Sequence, residues 1–140
     1  MSVVFTDCCK LNNLHHVIIS SNWSKNGTTM EIIITEEQNC DVIKIIGRID
    51  SYTTPNIKGS IQNLINNGHT NLVMELSSVK YLSSSGILMF VNFHKQLLKN
   101  KNGKLVFSNV PELIYSNIKL AGFDKLLQFA EDTAAAIDCF

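Results

Sequence analysis

From Met30 onward two hydrophobic periods alternate along the chain, and this alternation limits the possible folds more than any other feature. Glu31 to Thr35 and Val42 to Ile49 are apolar, β-branched runs separated by polar Glu36 to Asp41, the pattern of a two-stranded hairpin. Ser51 to Thr54 then supply capping candidates and Pro55 suits a first helical turn. Ile57, Ile61, Leu64 and Ile65 follow at helical spacing, with Gly68 as the stop. Asn71 to Leu76 is apolar enough for a central strand. Ile87, Phe90, Val91, His94, Leu97 and Leu98 form one helical stripe that Asn102-Gly103 ends. Leu105 to Phe107 is the next strand, and Pro111 opens a helix through Leu113, Ile114 and Leu120 to Gly122. Leu126 to Phe129 is a short strand candidate, and Glu131 and Asp132 begin a last helix. Strands alternating with helices in this way predict an α/β fold: a mixed sheet of four or five strands with about four helices packed against it.

Length and charge narrow the function. At 140 residues the chain has the size of one domain with a normal core. Twelve Lys plus Arg balance twelve Asp plus Glu, so no basic field is present to hold nucleic acid or an anionic membrane surface. The densest apolar run, Gly86 to Val91, is far shorter than a membrane span, and membrane insertion is not expected. The N-terminus lacks the basic region and apolar core of a secretory signal. The cysteines, Cys8, Cys9, Cys40 and Cys139, show no Cys-x-x-Cys or Cys/His ligand spacing. His15, His16 and His69 likewise have no partner at ligand spacing. The expectation is a reduced, cytoplasmic protein with no metal and no cofactor.

Residues 1–29 differ from the rest. Short apolar pieces (Val3 to Phe5, His16 to Ile19) sustain neither period, and Lys25-Asn26-Gly27-Thr28-Thr29 has linker composition. We therefore expect residues 1–29 to be an N-terminal extension, either disordered or added through an early start site, and residues 30–140 to be the domain.

Between the third strand and the second helix lies Tyr81-Leu82-Ser83-Ser84-Ser85-Gly86-Ile87. Serine hydroxyls favour helix N-termini, and the same helix end suits a phosphate. Residues alone leave two readings open for Ser84: a cap in a tight turn, or a hydroxyl that accepts phosphate. Gly86 permits close approach of another backbone. Asp50 can cap the turn into the first helix. His94 reads as a core histidine. Catalytic motifs fit poorly. Ser83 to Gly86 lacks the first glycine of a Gly-x-Ser-x-Gly elbow, Leu105 stands where a phosphate-binding loop needs Ser or Thr, and no histidine is placed as a base.

The serine stretch, with Gly47-Arg48-Ile49-Asp50 and the order of elements, resembles the STAS domains of sulphate transporters and anti-sigma factor antagonists over about Met30 to Ile137. In that family a strand leads through Asp-Ser-Ser-Gly and an aliphatic residue into a helix, and a Gly-x-Leu-Asp closes the second strand. The resemblance implies a STAS-type sheet and a non-enzymatic bacterial regulator of transcription. It places the phosphorylatable serine at Ser84, with Asp50, Ser83, Ser84, Ser85 and Gly86 as the partner-binding set. The implied partners are an anti-sigma factor that is also a serine kinase, bound by the unphosphorylated form and released by phosphorylation, and a phosphatase. Ser83 stands where the family has aspartate, which implies slow phosphorylation, a different kinase, or none. The alternatives are a non-switching STAS subunit of a scaffold or transporter assembly and, from another class, a small serine hydrolase.

Overall fold

The computed structural model describes residues 2–8, 16–25, 28–100 and 103–140. Seven strands form one sheet in sequence order: β1 (Ser2–Cys8), β2 (His16–Lys25), β3 (Thr28–Glu36), β4 (Asp41–Ile49), β5 (Asn71–Leu82), β6 (Lys104–Ser108) and β7 (Gln128–Ala130). The pairs from β1 to β4 are antiparallel, whereas β4 to β7 run parallel. Parallel neighbours need crossovers, and the helices supply them: α1 (Thr54–Asn66), α2 (Ser84–Asn100) and α3 (Glu112–Leu120). A short α4 (Thr133–Ile137) closes the chain. Strands β3 to β7 with the four helices are the expected mixed sheet.

Two stretches differ from the sequence reading. Residues 16–25, where no strand period was found, pair in register onto the β3 edge, from Ile18 opposite Thr35 to Lys25 opposite Thr28, and residues 2–8 pair in turn onto β2. Backbone pairing needs no sustained alternation of side chains, so periodicity was blind to it. The linker signal at Asn26-Gly27 and the helix stop at Asn102 lie outside the described residues. Strand β5 also runs six residues past its expected end at Leu76. Its extension follows β4 through register shifts at Lys44/Ile46 and Gly47/Arg48, so that Ile49 lies opposite Leu82.

The alternation of β-strand side chains divides the core between the two faces. Ile32, Ile34, Ile43, Ile45, Leu72, Met74, Leu105 and Phe107 meet the apolar stripes of α1, α2 and α3. At its centre the Phe90 ring stands edge-on to Phe107, 5.2 Å between centroids, a geometry worth about 0.5–1.5 kcal/mol beyond burial. Val42, Val73 and Val106 point the other way, where Ala136 of α4 covers them. Asp132 caps α4, accepting from Ala135 N at 2.8 Å. Gly68 and Gly122, with φ of +91° and +85°, end α1 and α3 as their sequence positions suggest.

On α2 the expected stripe is buried except for Leu98, which is exposed, and Met89 and Phe93 join it on the side toward α1. His94 is a core residue, 7% exposed, and its Nδ1 has no hydrogen-bond partner among the described residues. Burial holds its pKa below the ordinary 6.5. The unfolded chain therefore takes up a proton at a higher pH than the fold does, and stability falls as pH drops through 6.5 toward the lowered folded value. His94→Leu should remove this loss: the difference in urea midpoint between variant and natural protein should move in favour of the variant as pH falls from about 7.5 to 5.5. Parallel midpoint-against-pH curves would show that His94 is solvated.

Candidate functional site

The parallel strands β4 and β5 end level with one another, and each turns directly into a helix. Ser83 N donates to Ile49 O at 2.8 Å, joining the two turns one residue before Asp50 and one before Ser84. Two helix N-termini thus open at the carboxyl end of the sheet, the place where ligands and partners meet α/β folds.

The turn after β4 is organised around Asp50. Its Oδ1 accepts from Tyr52 N at 3.0 Å and Thr53 N at 3.1 Å. Asp50 N in turn donates to Thr53 Oγ1 at 2.9 Å, and that fully buried hydroxyl donates to Arg48 O at 2.9 Å. Thr54 N and Thr54 Oγ1 both donate to Asp50 O, at 2.9 and 2.6 Å. The other carboxylate oxygen faces Arg48, with Nε 3.8 Å from Oδ2, and the guanidinium lies 4.5 Å from the centre of the Tyr81 ring. Asp50 is thus the keystone of its own turn, with 20% of its side chain left exposed.

The turn after β5 separates the three serines by role. Ser83 precedes the first helical residue. Its carbonyl accepts from Ile87 N at 3.0 Å, and its Oγ accepts from Gly86 N at 3.3 Å and lies 2.8 Å from Ser85 Oγ. Ser83 is the cap. Ser84 is exposed at the first helical position, and its hydroxyl has no hydrogen-bond partner among the described residues. The first-turn N–H groups beside it have no acceptor within the helix, which makes this end electropositive.

Gly86 is buried, not presented at the surface. A Cβ there would stand 2.7 Å from Ile49 Cγ2 and 2.7 Å from Leu82 Cδ1, so the missing side chain lets α2 start directly on the ends of β4 and β5. The close approach that glycine permits is thus to the chain's own side chains.

Sequence reasoning missed several residues here. Arg48 and Tyr81 form the stacked pair beside Asp50, and Tyr52 and Leu88 are 64% and 52% exposed. Between α1 and α2 runs a groove of ≈ 470 Å³ lined by Lys58, Gln62, Ser85, Leu88, Met89 and Phe93. One signal was available: Leu88 lies off the buried stripe of α2, so a large apolar residue was bound to face outward. Among the described residues no helix is long and apolar enough to cross a membrane.

The comparisons with known proteins agree with this architecture. The STAS domain family model matches residues 31–136. The anti-sigma-B factor antagonist of Staphylococcus aureus is 27% identical over 105 residues, 74% of this chain and 95% of that one. A crystal structure of an anti-sigma factor antagonist from Mycobacterium paratuberculosis superposes with a TM-score of 0.72 at 21% identity, covering 79% of this chain and 92% of that one. The Bacillus cell-fate determinant SpoIIAA, in its phosphorylated form, does so with a TM-score of 0.60 at 18% identity, over 77% of this chain and 97% of that one. The curated relative named above is an anti-sigma-B factor antagonist, and the chain belongs to the STAS domain family.

Proposed function

We propose that the protein is an anti-sigma factor antagonist working by partner switching in the cytoplasm. Unphosphorylated, it binds an anti-sigma factor that is also a serine kinase, and a sigma factor is freed. The kinase transfers the γ-phosphoryl group of ATP to Ser84 Oγ, whose proton leaves to a base of the kinase, and the complex separates. A phosphatase restores the binding form by hydrolysis. The observation that carries this reading is the division of labour between Ser83 and Ser84: one hydroxyl caps α2 and the next faces outward with no internal partner. That one of its structural neighbours is a phosphorylated SpoIIAA agrees with it.

The physics of release is modest. Phosphate adds about −1.5 to −2 charges at pH 7, stabilised by its own helix end yet costly to bury against a partner. A hundredfold loss of affinity needs only about 2.7 kcal/mol. On this reading Asp50 and Ser85 flank the contact, Ser83 and Gly86 hold Ser84 in place from beneath, and the apolar groove beside Ser85 and Leu88 adds area.

Two variants test the switch. Ser84→Ala should bind the cognate anti-sigma kinase within about threefold of the natural protein and resist release by ATP, since only a hydroxyl is lost. Ser84→Asp should bind about tenfold or more weakly, having less charge than phosphate. Calorimetric titrations before and after incubation with ATP read both. Release of Ser84→Ala by ATP would move the switch to another residue. Binding of the natural protein that ATP leaves unchanged, with no phosphate on Ser84 by mass spectrometry, would favour the non-switching subunit.

Ser83 supports a separate measurement. Aspartate caps helices as well as serine does, so Ser83→Asp should fold with an unchanged or higher melting temperature while restoring a carboxylate beside the target hydroxyl. Its initial rate of phosphorylation should exceed that of the natural protein. Equal rates would show that the kinase makes no use of a carboxylate there.

A further inference from the structure

At the other end of the sheet, three potential metal ligands from distant parts of the chain converge. Glu36 closes β3 and Asp41 opens β4, and they stand directly opposite one another in the antiparallel register. His69 follows Gly68 in the loop between α1 and β5, its backbone N–H held by Leu64 O at 3.0 Å. His69 Nδ1 lies 2.7 Å from Asp41 Oδ2, and the Asp41 side chain is only 6% exposed. One ligand atom from each of the three residues lies within 4.8 Å of the other two. A cavity of ≈ 190 Å³ opens over them between the β3–β4 turn and the His69 loop, which Asn71 Nδ2 ties together by donating to Asn39 O at 3.2 Å.

Two carboxylates here share one imidazole partner. Like charges directly opposite on antiparallel strands repel, and one of the two carboxylates is buried. We propose that Glu36, Asp41 and His69 bind one divalent transition-metal ion, with Zn²⁺ as the probe. An imidazole nitrogen with two carboxylate oxygens suits zinc better than magnesium. Tetrahedral ligand bonds of about 2.0–2.2 Å put donor atoms about 3.4 Å apart, so the 2.7 Å pair must open by about 0.7 Å and the half-buried Glu36 side chain swing in. His69 would bind through an Nδ1 free of its proton, and solvent in the cavity completes the coordination. Cys40 lines the same cavity, but burial first, then Asp41 and Glu37, push its thiol up to about 11, leaving a neutral and weak ligand. The ion would fasten the β3–β4 turn to the end of α1. It is independent of the switch at Ser84.

The test uses the full chain, stripped with a chelator and titrated with ZnCl₂ by calorimetry, with melting temperature followed in parallel. One Zn²⁺ should bind with a Kd of about 10 µM or tighter, and the melting temperature should rise by about 9 °C at a hundredfold excess over Kd. Mg²⁺ at the same concentration should have no such effect. Glu36→Gln and His69→Gln should each raise the Kd at least about tenfold. The metal-free Glu36→Gln protein should melt at the same temperature as the natural one or higher, because the carboxylate repulsion is gone, which mere damage to the fold would not produce. The proposal is overturned if Zn²⁺ gives no rise at 1 mM. It is overturned equally if a Glu36→Gln, His69→Gln double variant binds as well as the natural protein, for then the ion sits elsewhere, as on Cys8, Cys9, His15 or His16.

Discussion

Everything at the candidate site depends on how closely α2 begins above the ends of β4 and β5. Ile49 and Leu82 lie opposite one another and are both buried, and Gly86 settles onto the pair with no Cβ between. Because those side chains sit in the main core, shifting the start of α2 would disturb the same packing that holds the sheet to its helices. The position of Ser84 is thus set by the hydrophobic core, and its loop merely follows. The exposed hydroxyl rests on a packed base.

The parts legible in the sequence were those governed by local chemistry. Gly68, Gly122, Pro111 and Asp132 end or begin helices through their own backbone and side-chain preferences, and the structure uses each of them so. The alternation of elements was equally plain, because a buried face leaves a periodic mark whatever its partner. What was obscure depends on partners far along the chain. Three consecutive serines are alike as helix caps on paper, and the hydrogen bonds that Ser83 accepts from Gly86 N and Ile87 N show which of them caps α2. The last six residues of β5 carry no strand period of their own, since their pairing follows shifts of register in β4. The groove between α1 and α2 exists only once two helices are packed, and His69 finds Asp41 across 28 positions.

The two ends of the sheet contrast chemically. At the carboxyl ends of the parallel strands, helix N-termini, Arg48 and neutral serines face solvent, with Asp50 committed to its own turn. At the amino ends, Asp41 and Glu36 stand together, relieved within the chain by His69. Negative charge is disfavoured at the second end and accommodated at the first, beside the helix N-termini. Between the two ends the central strands are mostly apolar. On the face turned away from α1, α2 and α3, Lys44 and Glu75 form a half-exposed bridge, 3.6 Å apart, between neighbouring strands.

The strand order has a consequence for how the chain is made. From β3 to β7 each strand pairs with the one before it, and each crossover helix is complete before the next strand is needed. No strand waits for a partner synthesised later at the far side of the sheet. A nascent chain emerging at about 5–20 residues per second can therefore add one layer at a time to an edge already formed. Each parallel pairing closes a crossover of one helix, as from Asn71 to Lys104 or Val106 to Gln128, so no strand has to be brought back across the whole sheet.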